Sequence, residues 1–324
     1  MNPTRNKSVF PLFEEGVRGS LLLLFLFFAL SLNAQMLKVY KNGTLVYCLE
    51  EADSVVFCPS LNKALLGVFS VSEAKQIRFS CGNLQYTQST QTWSFAENQY
   101  DMFGTNNVYG GTEQLNTYGY HKQGTALSDT IDLFGWSGST GGAKWGISIS
   151  ENSYTDYSGD FVDWGANIGD GQTWYTLTYD EWSYLISGRT NAYNLRSVAR
   201  IKLNADGSEY AKGLILLPDN WTCPADVTFK SGSATAYNEQ AYADYQTLSL
   251  SDWQKLEAAG AVFLPASGYR NGASMNFVQN IGSYWSATPY YSGSAYVLHF
   301  YSDEAKNKDD TRYIGNAVRL VRDL

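Results

Sequence analysis

Strict alternation of apolar and polar positions, the period of a half-buried strand, runs in short bursts along this chain. Leu37 to Tyr40 and Thr44 to Cys48 alternate on either side of Asn42-Gly43, which predicts a β-hairpin with a tight turn, and Ser54 to Phe57 predicts a third short strand. Further strands are expected at Gln76 to Phe79, Asn83 to Tyr86, Thr92 to Ala96 with Trp93 and Phe95 on one face, Ser197 to Leu203, Gly213 to Leu217 and Ala261 to Pro265. Gly268 to Gly272 reads as a loop, and the chain ends in three more strands, Tyr284 to Ala287, Ala295 to Tyr301 and Ala317 to Val321.

Two helices interrupt the alternation. Thr178-Tyr179-Asp180-Glu181 is a capping box, after which Trp182, Leu185 and Ile186 recur at helical spacing and Gly188 ends the run. A second helix is expected to open at Ser251 with Gln254 in the reciprocal position, to run through Trp253 and Leu256, and to stop at Gly260. From Asp101 to Asp170 the chain is rich in Gly, Ser, Asn and Tyr without sustained period. That stretch is expected to form ordered loops pinned by Phe134, Trp136, Trp145 and Trp164.

The last stretch, Gly282 to Leu324, has the clearest rhythm. Trp285, Ala295, Leu298, Phe300, Gly315, Val318 and Leu320 form a recurring apolar or small frame, while Tyr, Ser, Asp, His, Asn and Thr fill the positions between. Alternate side chains of a strand face opposite ways, so the frame is expected in the core and the filling on a surface free to bind.

Composition narrows the class of partner. The net charge is -8 and the Lys and Arg residues form no cluster, which argues against nucleic acid and anionic membranes. Charged residues make up 17% of the chain and aromatic residues 15%, including 24 Tyr. Tyr offers contact area at low entropic cost and keeps a polar tip, which suits extracellular recognition, although an aromatic-rich β core accounts for the Trp residues about equally well.

The amino terminus reads as an export signal. Arg5, Lys7 and Arg18 precede the apolar run Leu21 to Leu32, which is short for a membrane span, and cleavage after Ala34 would leave no inserted segment. The acidic pair Glu14-Glu15 before the run is atypical of such signals and suggests a start downstream of Met1. The organisation expected is therefore a signal peptide over 1–34, a short β-hairpin segment and linker over 35–62, and one domain over 63–324. Export permits disulfides. The four cysteines allow Cys48 with Cys58 across a hairpin and Cys81 with Cys223, or free buried thiols, which are about as well supported.

Several motifs in order resemble one family. GVFSVSEAKQIRFSCGNLQY with WSFAENQYD, DWG followed by TLTYDEWSYLISGR, and the ending FLPASGYRNG, GSYWSAT and GNAVRLV resemble exported C-type-lectin-like proteins of Bacteroidetes-type bacteria. That domain is related to the formylglycine-generating-enzyme fold and to the Fibrobacter major paralogous domain. The resemblance spans Gly67 to Leu324 and implies an α+β fold: two helices on a small twisted antiparallel sheet, long loops at one end, and the termini brought together. The ending is also similar to the variable region of diversity-generating-retroelement proteins, in which selected codons mutate at adenines while the fold persists. The residues filling the frame are mostly reachable from an Asn codon in that way, with Glu304, Lys306 and Lys308 fitting less well. The resemblance implies a ligand-binding set of Tyr290, Tyr291, Ser292, Ser294, Tyr296, Val297, His299, Tyr301, Asp303, Asp309, Asp310, Thr311, Tyr313, Ile314 and Asn316.

Catalytic chemistry has little to draw on. The two histidines, His121 and His299, lack ligand spacing, and no Cys follows Cys223, whereas the formylglycine-generating relatives hold copper with a cysteine pair near their carboxy terminus. Asp219-Asn220-Trp221 and the acidic stretch Asp156, Asp160, Asp163 and Asp170 carry oxygen ligands of the kind calcium prefers, but turn-forming Asp is the preferred reading. The expectation is an exported, non-catalytic protein without cofactor. It would bind a protein or glycan on another cell or phage surface, its aromatic side chains serving as anchors. The rival expectation is a structural or adhesin subunit that assembles through its amino-terminal hairpin.

Overall fold

The computed structural model describes residues 36–41, 44–50, 60–61, 63–87, 89–103, 130–136, 159–232, 245–271, 274–302 and 304–324. The chain divides into two compact units, Met1–Val55 and Val56–Leu324. In the first, β1 (Met36–Lys41) pairs antiparallel with β2 (Thr44–Glu50), as the alternation predicts, with a register irregularity at Val39/Tyr40. The expected strand Ser54 to Phe57 lies outside the described residues.

The second unit is mixed α+β, mostly sheet with two short helices. It opens with β3 (Ser60–Leu61), β4 (Ala64–Leu65), β5 (Phe69–Ser70) and β6 (Gln76–Phe79), then β7 (Leu84–Thr87) and β8 (Thr92–Phe95). β9 (Thr130–Ile131), β10 (Leu133–Phe134) and β11 (Tyr175–Thr176) lead to α1 (Tyr179–Ser183), which continues as a π-helical turn to Gly188. Next come β12 (Arg196–Lys202), β13 (Tyr210–Leu216), β14 (Gln246–Ser249), α2 (Leu250–Ala258) and β15 (Val262–Pro265). The end of the chain forms β16 (Tyr269–Asn271), β17 (Ser274–Asn276), β18 (Gly282–Tyr291), β19 (Ser294–Phe300), β20 (Ala305–Thr311), β21 (Asn316–Ala317) and β22 (Leu320–Asp323). Gly268 to Gly272, expected as a loop, thus contributes strand β16 to a small hairpin.

Local chemistry sets the helix starts. Thr178 accepts from the Glu181 amide at 3.2 Å and the Glu181 carboxylate accepts from the Thr178 amide at 2.8 Å, a complete capping box. α2 begins two residues earlier than the spacing predicts. Ser249, not Ser251, is the N-cap, because its hydroxyl both accepts from the Asp252 amide at 3.0 Å and donates to the Asp252 carboxylate at 2.8 Å.

The five-stranded sheet β10-β21-β18-β19-β20 positions the carboxy-terminal segment. On one face Tyr284, Leu298, Phe300 and Ala305 pack with Phe79, Trp182, Leu185 and Val198. On the other, Trp285, Ala295, Val297 and Val318 pack with Phe134, Trp136, Trp164 and Trp174. A third cluster joins α2, through Trp253 and Leu256, to Ala199, Ile201, Ile215 and Phe263 of the sheet β14-β12-β13-β15. A further sheet, β11-β22-β6-β5, pairs the unit's early and last strands, with Phe79 opposite Val321 and Ile77 opposite Asp323.

Cys81 and Cys223 are both free and belong to different packing clusters, so the bridge between them is not formed. Cys58 lies outside the described residues, as do Trp145, Asp156 and the greater part of 101–170. Phe134, Trp136 and Trp164 are buried, as expected of residues pinning that region. Among the described residues no helix is long and apolar enough to cross a membrane.

Candidate ligand-binding surfaces

The frame residues Trp285, Ala295, Leu298, Phe300, Val318 and Leu320 are all buried to within 1% exposure. The residues between them do not form one surface. Val297 at 0% is buried under the aromatic layer of Phe134, Trp136 and Trp164, and His299 at 2% is buried beside Tyr301 at the other end of β19. Ile314 and Asn316 are buried too, and Asn316 donates to the Asp310 carboxylate at 3.0 Å, an internal bond. Burial pushes the Asp310 carboxyl up, an effect that Asn316 opposes. Val297, His299, Ile314 and Asn316 therefore cannot belong to an exposed binding face, contrary to the alternation argument, which assumes a strand buried on one side only. Asp303 lies outside the described residues.

What remains outside gathers at the β18–β19 turn. Four tyrosine rings follow one another there: Tyr179 to Tyr296 at 4.2 Å between centroids, Tyr296 to Tyr290 at 5.0 Å, and Tyr290 to Tyr291 at 4.1 Å. Tyr291 is 66% exposed and Tyr290 39%. Ser292 is exposed beside them, and Ser294, Thr311 and Tyr313 are half-buried. Asp309, opposite Tyr296 in register, is exposed, as is Asp180. A hydrogen bond to Tyr291, together with its charge, pushes the Tyr290 hydroxyl up to about 12, and burial and the neighbouring Tyr179 push Tyr296 up. The hydroxyls of Tyr290 and Tyr296 are thus proton-bearing donors at neutral pH.

Tyr179, which sequence reasoning did not include, enters the row because the start of α1 is tied to the sheet. Its amide donates to the Thr288 hydroxyl at 3.0 Å, and the Asn307 side chain donates to the Tyr179 carbonyl at 3.1 Å and to the Ser183 hydroxyl at 2.7 Å. A Tyr at the first position after a helix cap was the available signal. Arg312 braces the turn from behind. Its guanidinium donates to the carbonyls of Ser294 (3.2 Å), Gly159 (3.2 Å) and Tyr291 (3.0 Å), and lies 4.1 Å from the Trp136 ring. Trp136 is itself held, its indole donating to the Ser286 carbonyl at 2.9 Å.

His299 and Tyr301 belong elsewhere, to a groove of about 480 Å³ at the other end of β19. Lys212 of β13, Tyr245 before β14, Tyr269 of β16, Phe277 and Asn280 after β17, and Lys308 of β20 complete its lining with Ile281 and Ser302. Burial, followed by Lys308 and Lys306, pushes the His299 imidazole down to about 3, so it is neutral at physiological pH. Burial and nearby Arg200 also hold the Lys212 ammonium below its usual range. Four separate stretches of chain meet here, and no local pattern in any of them announces it.

The acidic candidates have structural duties. The Asp219 carboxylate accepts from the Ser70 amide (2.8 Å) and hydroxyl (2.7 Å) and pairs with Arg189 at 3.0 Å. Asp163 caps a 3-10 turn and accepts from the Thr176 amide at 2.9 Å, and Asp170 accepts from the Gln172 amide and the Trp174 indole. Among the described residues no three His, Cys, Asp or Glu side chains gather to hold a metal ion. Compared with models of protein families, with curated proteins and with solved structures, the chain matches none.

Proposed function

We propose that this chain is an exported, non-catalytic ligand-binding protein with a C-type-lectin-like domain, and that its tyrosine row at the β18–β19 turn meets a protein or glycan on another surface. The observation that carries this reading is the row itself. Tyr179, Tyr296, Tyr290 and Tyr291 are packed in succession through tilted and T-shaped ring contacts, open to solvent at Tyr290 and Tyr291, and backed by Arg312 and Trp136. Rings held in this way lose little freedom on binding, and their hydroxyls and the acidic rim of Asp180 and Asp309 supply directional contacts. The α+β architecture and the pairing of the unit's early and last strands support the lectin-like reading. The exposed positions Tyr290, Tyr291, Ser292 and Asp309 are those at which a diversifying mechanism would change the surface without touching the core.

Two measurements test this. Flanking DNA is expected to carry a reverse-transcriptase gene and an imperfect repeat of the coding segment for Tyr284 to Arg319 that differs mainly at template adenines; its absence removes the retroelement part of the proposal. Screening against glycan and surface-protein arrays is expected to find a partner whose binding is lost in the Tyr290→Ser, Tyr291→Ser double variant with the melting temperature unchanged. Undiminished binding by that variant overturns the assignment of the row.

A further inference from the structure

The groove at the far end of β19 has the construction of a small-ligand site. Tyr269 and Phe277 form one wall, their rings 5.8 Å apart and tilted by 31°. Phe277 is 53% exposed and its backbone sits at φ 55°, a conformation that side-chain-bearing residues adopt rarely and at a cost. Gln279, at φ 66° and 1% exposed, fixes this strained turn by accepting from the Lys212 amide at 2.7 Å and donating to the Tyr210 carbonyl at 2.8 Å. An apolar ring is thus held open to solvent by a buried polar brace.

The lining also carries polar groups. His299 is 2% exposed, its ring 4.7 Å from that of Tyr301, and among the described residues neither of its nitrogens has a hydrogen-bond partner. A buried donor and acceptor left without partners is costly and calls for an explanation. Lys212 and Lys308 bring two cations to the lining, and among the described residues neither has a carboxylate within salt-bridge distance. Lys306, by contrast, pairs with Glu304 at 2.8 Å.

We propose that this groove binds a small carboxylated sugar, with the sugar ring against the Tyr269–Phe277 wall and the carboxylate between Lys212 and Lys308. A sugar ring has an apolar C–H face bordered by hydroxyls. That combination fits aromatic walls with amide, hydroxyl and imidazole groups around them, and the volume suits one or two rings. A purely aromatic acid would use the walls and lysines but leave Asn280 and His299 without gain. The site is separate from the tyrosine row and stands or falls independently of it.

Isothermal titration of the full chain with D-glucuronate, D-glucose and phenylacetate tests the assignment. Glucuronate is expected to bind about tenfold more tightly than glucose, a margin of the size one partly desolvated charge contact supplies. Lys308→Gln and Lys212→Gln are each expected to reduce glucuronate affinity to about that of glucose, and Phe277→Ala to weaken both sugars alike. Lys308 lies on the edge strand β20, so its replacement leaves the fold intact and guards against a failure of Lys212→Gln to fold. The Tyr290→Ser, Tyr291→Ser variant is expected to bind glucuronate normally, which separates this site from the row. No heat with glucuronate at millimolar concentrations, equal affinity for glucose and glucuronate, or tighter binding of phenylacetate overturns the proposal.

Discussion

His299 gives the fold a specific sensitivity to acid. In the unfolded chain the imidazole titrates near 6.5, and in the folded chain burial and the ammonium groups of Lys308 and Lys306 push it down to about 3. A depressed folded value means that the unfolded state binds the proton more readily. The contribution is therefore fully present above pH 6.5 and is lost progressively as pH falls toward 3. Between pH 7 and pH 5 the linkage relation gives a loss of about 2 kcal/mol from this one group. For a unit of this size that corresponds to roughly 5 °C in melting temperature. Carboxylates also titrate in this range, so the informative quantity is the difference between the parent chain and His299→Phe, which keeps a flat ring and removes the proton site. Calorimetric melts of both proteins at pH 7 and pH 5 are expected to show a drop smaller by about 2 kcal/mol in the variant. Should the phenyl ring overfill the site, His299→Leu makes the same comparison. Parallel acid slopes for parent and variant would refute the burial argument.

Arg312→Ala removes three guanidinium bonds to backbone carbonyls and the contact with Trp136. A loss of about 2–4 kcal/mol is expected in denaturant titration, with faster amide exchange at the β18–β19 turn, and Arg312→Lys is not expected to restore it because an ammonium cannot span three acceptors in one plane. Gly282→Ala drives a methyl group into the buried Phe300 ring on the neighbouring strand. That overpacking is expected to cost about 1–3 kcal/mol or more by thermal melting, and a neutral outcome would mean that the β18–β19 pair is looser than described.

Sequence reading succeeds where a local rule decides the structure. The Thr178–Glu181 capping box, the Gln76–Phe79 strand and the buried positions Trp285, Leu298, Phe300 and Val318 follow from caps and periodicity, and each is found in place. It fails where a distant segment supplies the environment. Alternation cannot reveal that Val297 faces an aromatic layer contributed by Phe134, Trp136 and Trp164, residues set in a stretch without period of its own. Strand β20, Ala305–Thr311, has no apolar repeat because an edge strand has to bury little, yet its backbone pairs along all of β19. The groove is legible only in three dimensions. Lys212 and Phe277 acquire a joint role through Gln279, which bonds the Lys212 backbone from the turn that displays Phe277.

The pairing of β6 with β22 also has a kinetic meaning. Phe69, Ile77 and Phe79 share one cluster with Val321, so β5 and β6 complete their packing only after β22 has been made. Closure between segments so far apart in sequence is intrinsically slow. The Phe69, Ile77 and Phe79 side of the cluster therefore lacks its Val321 partner until β22 has been made.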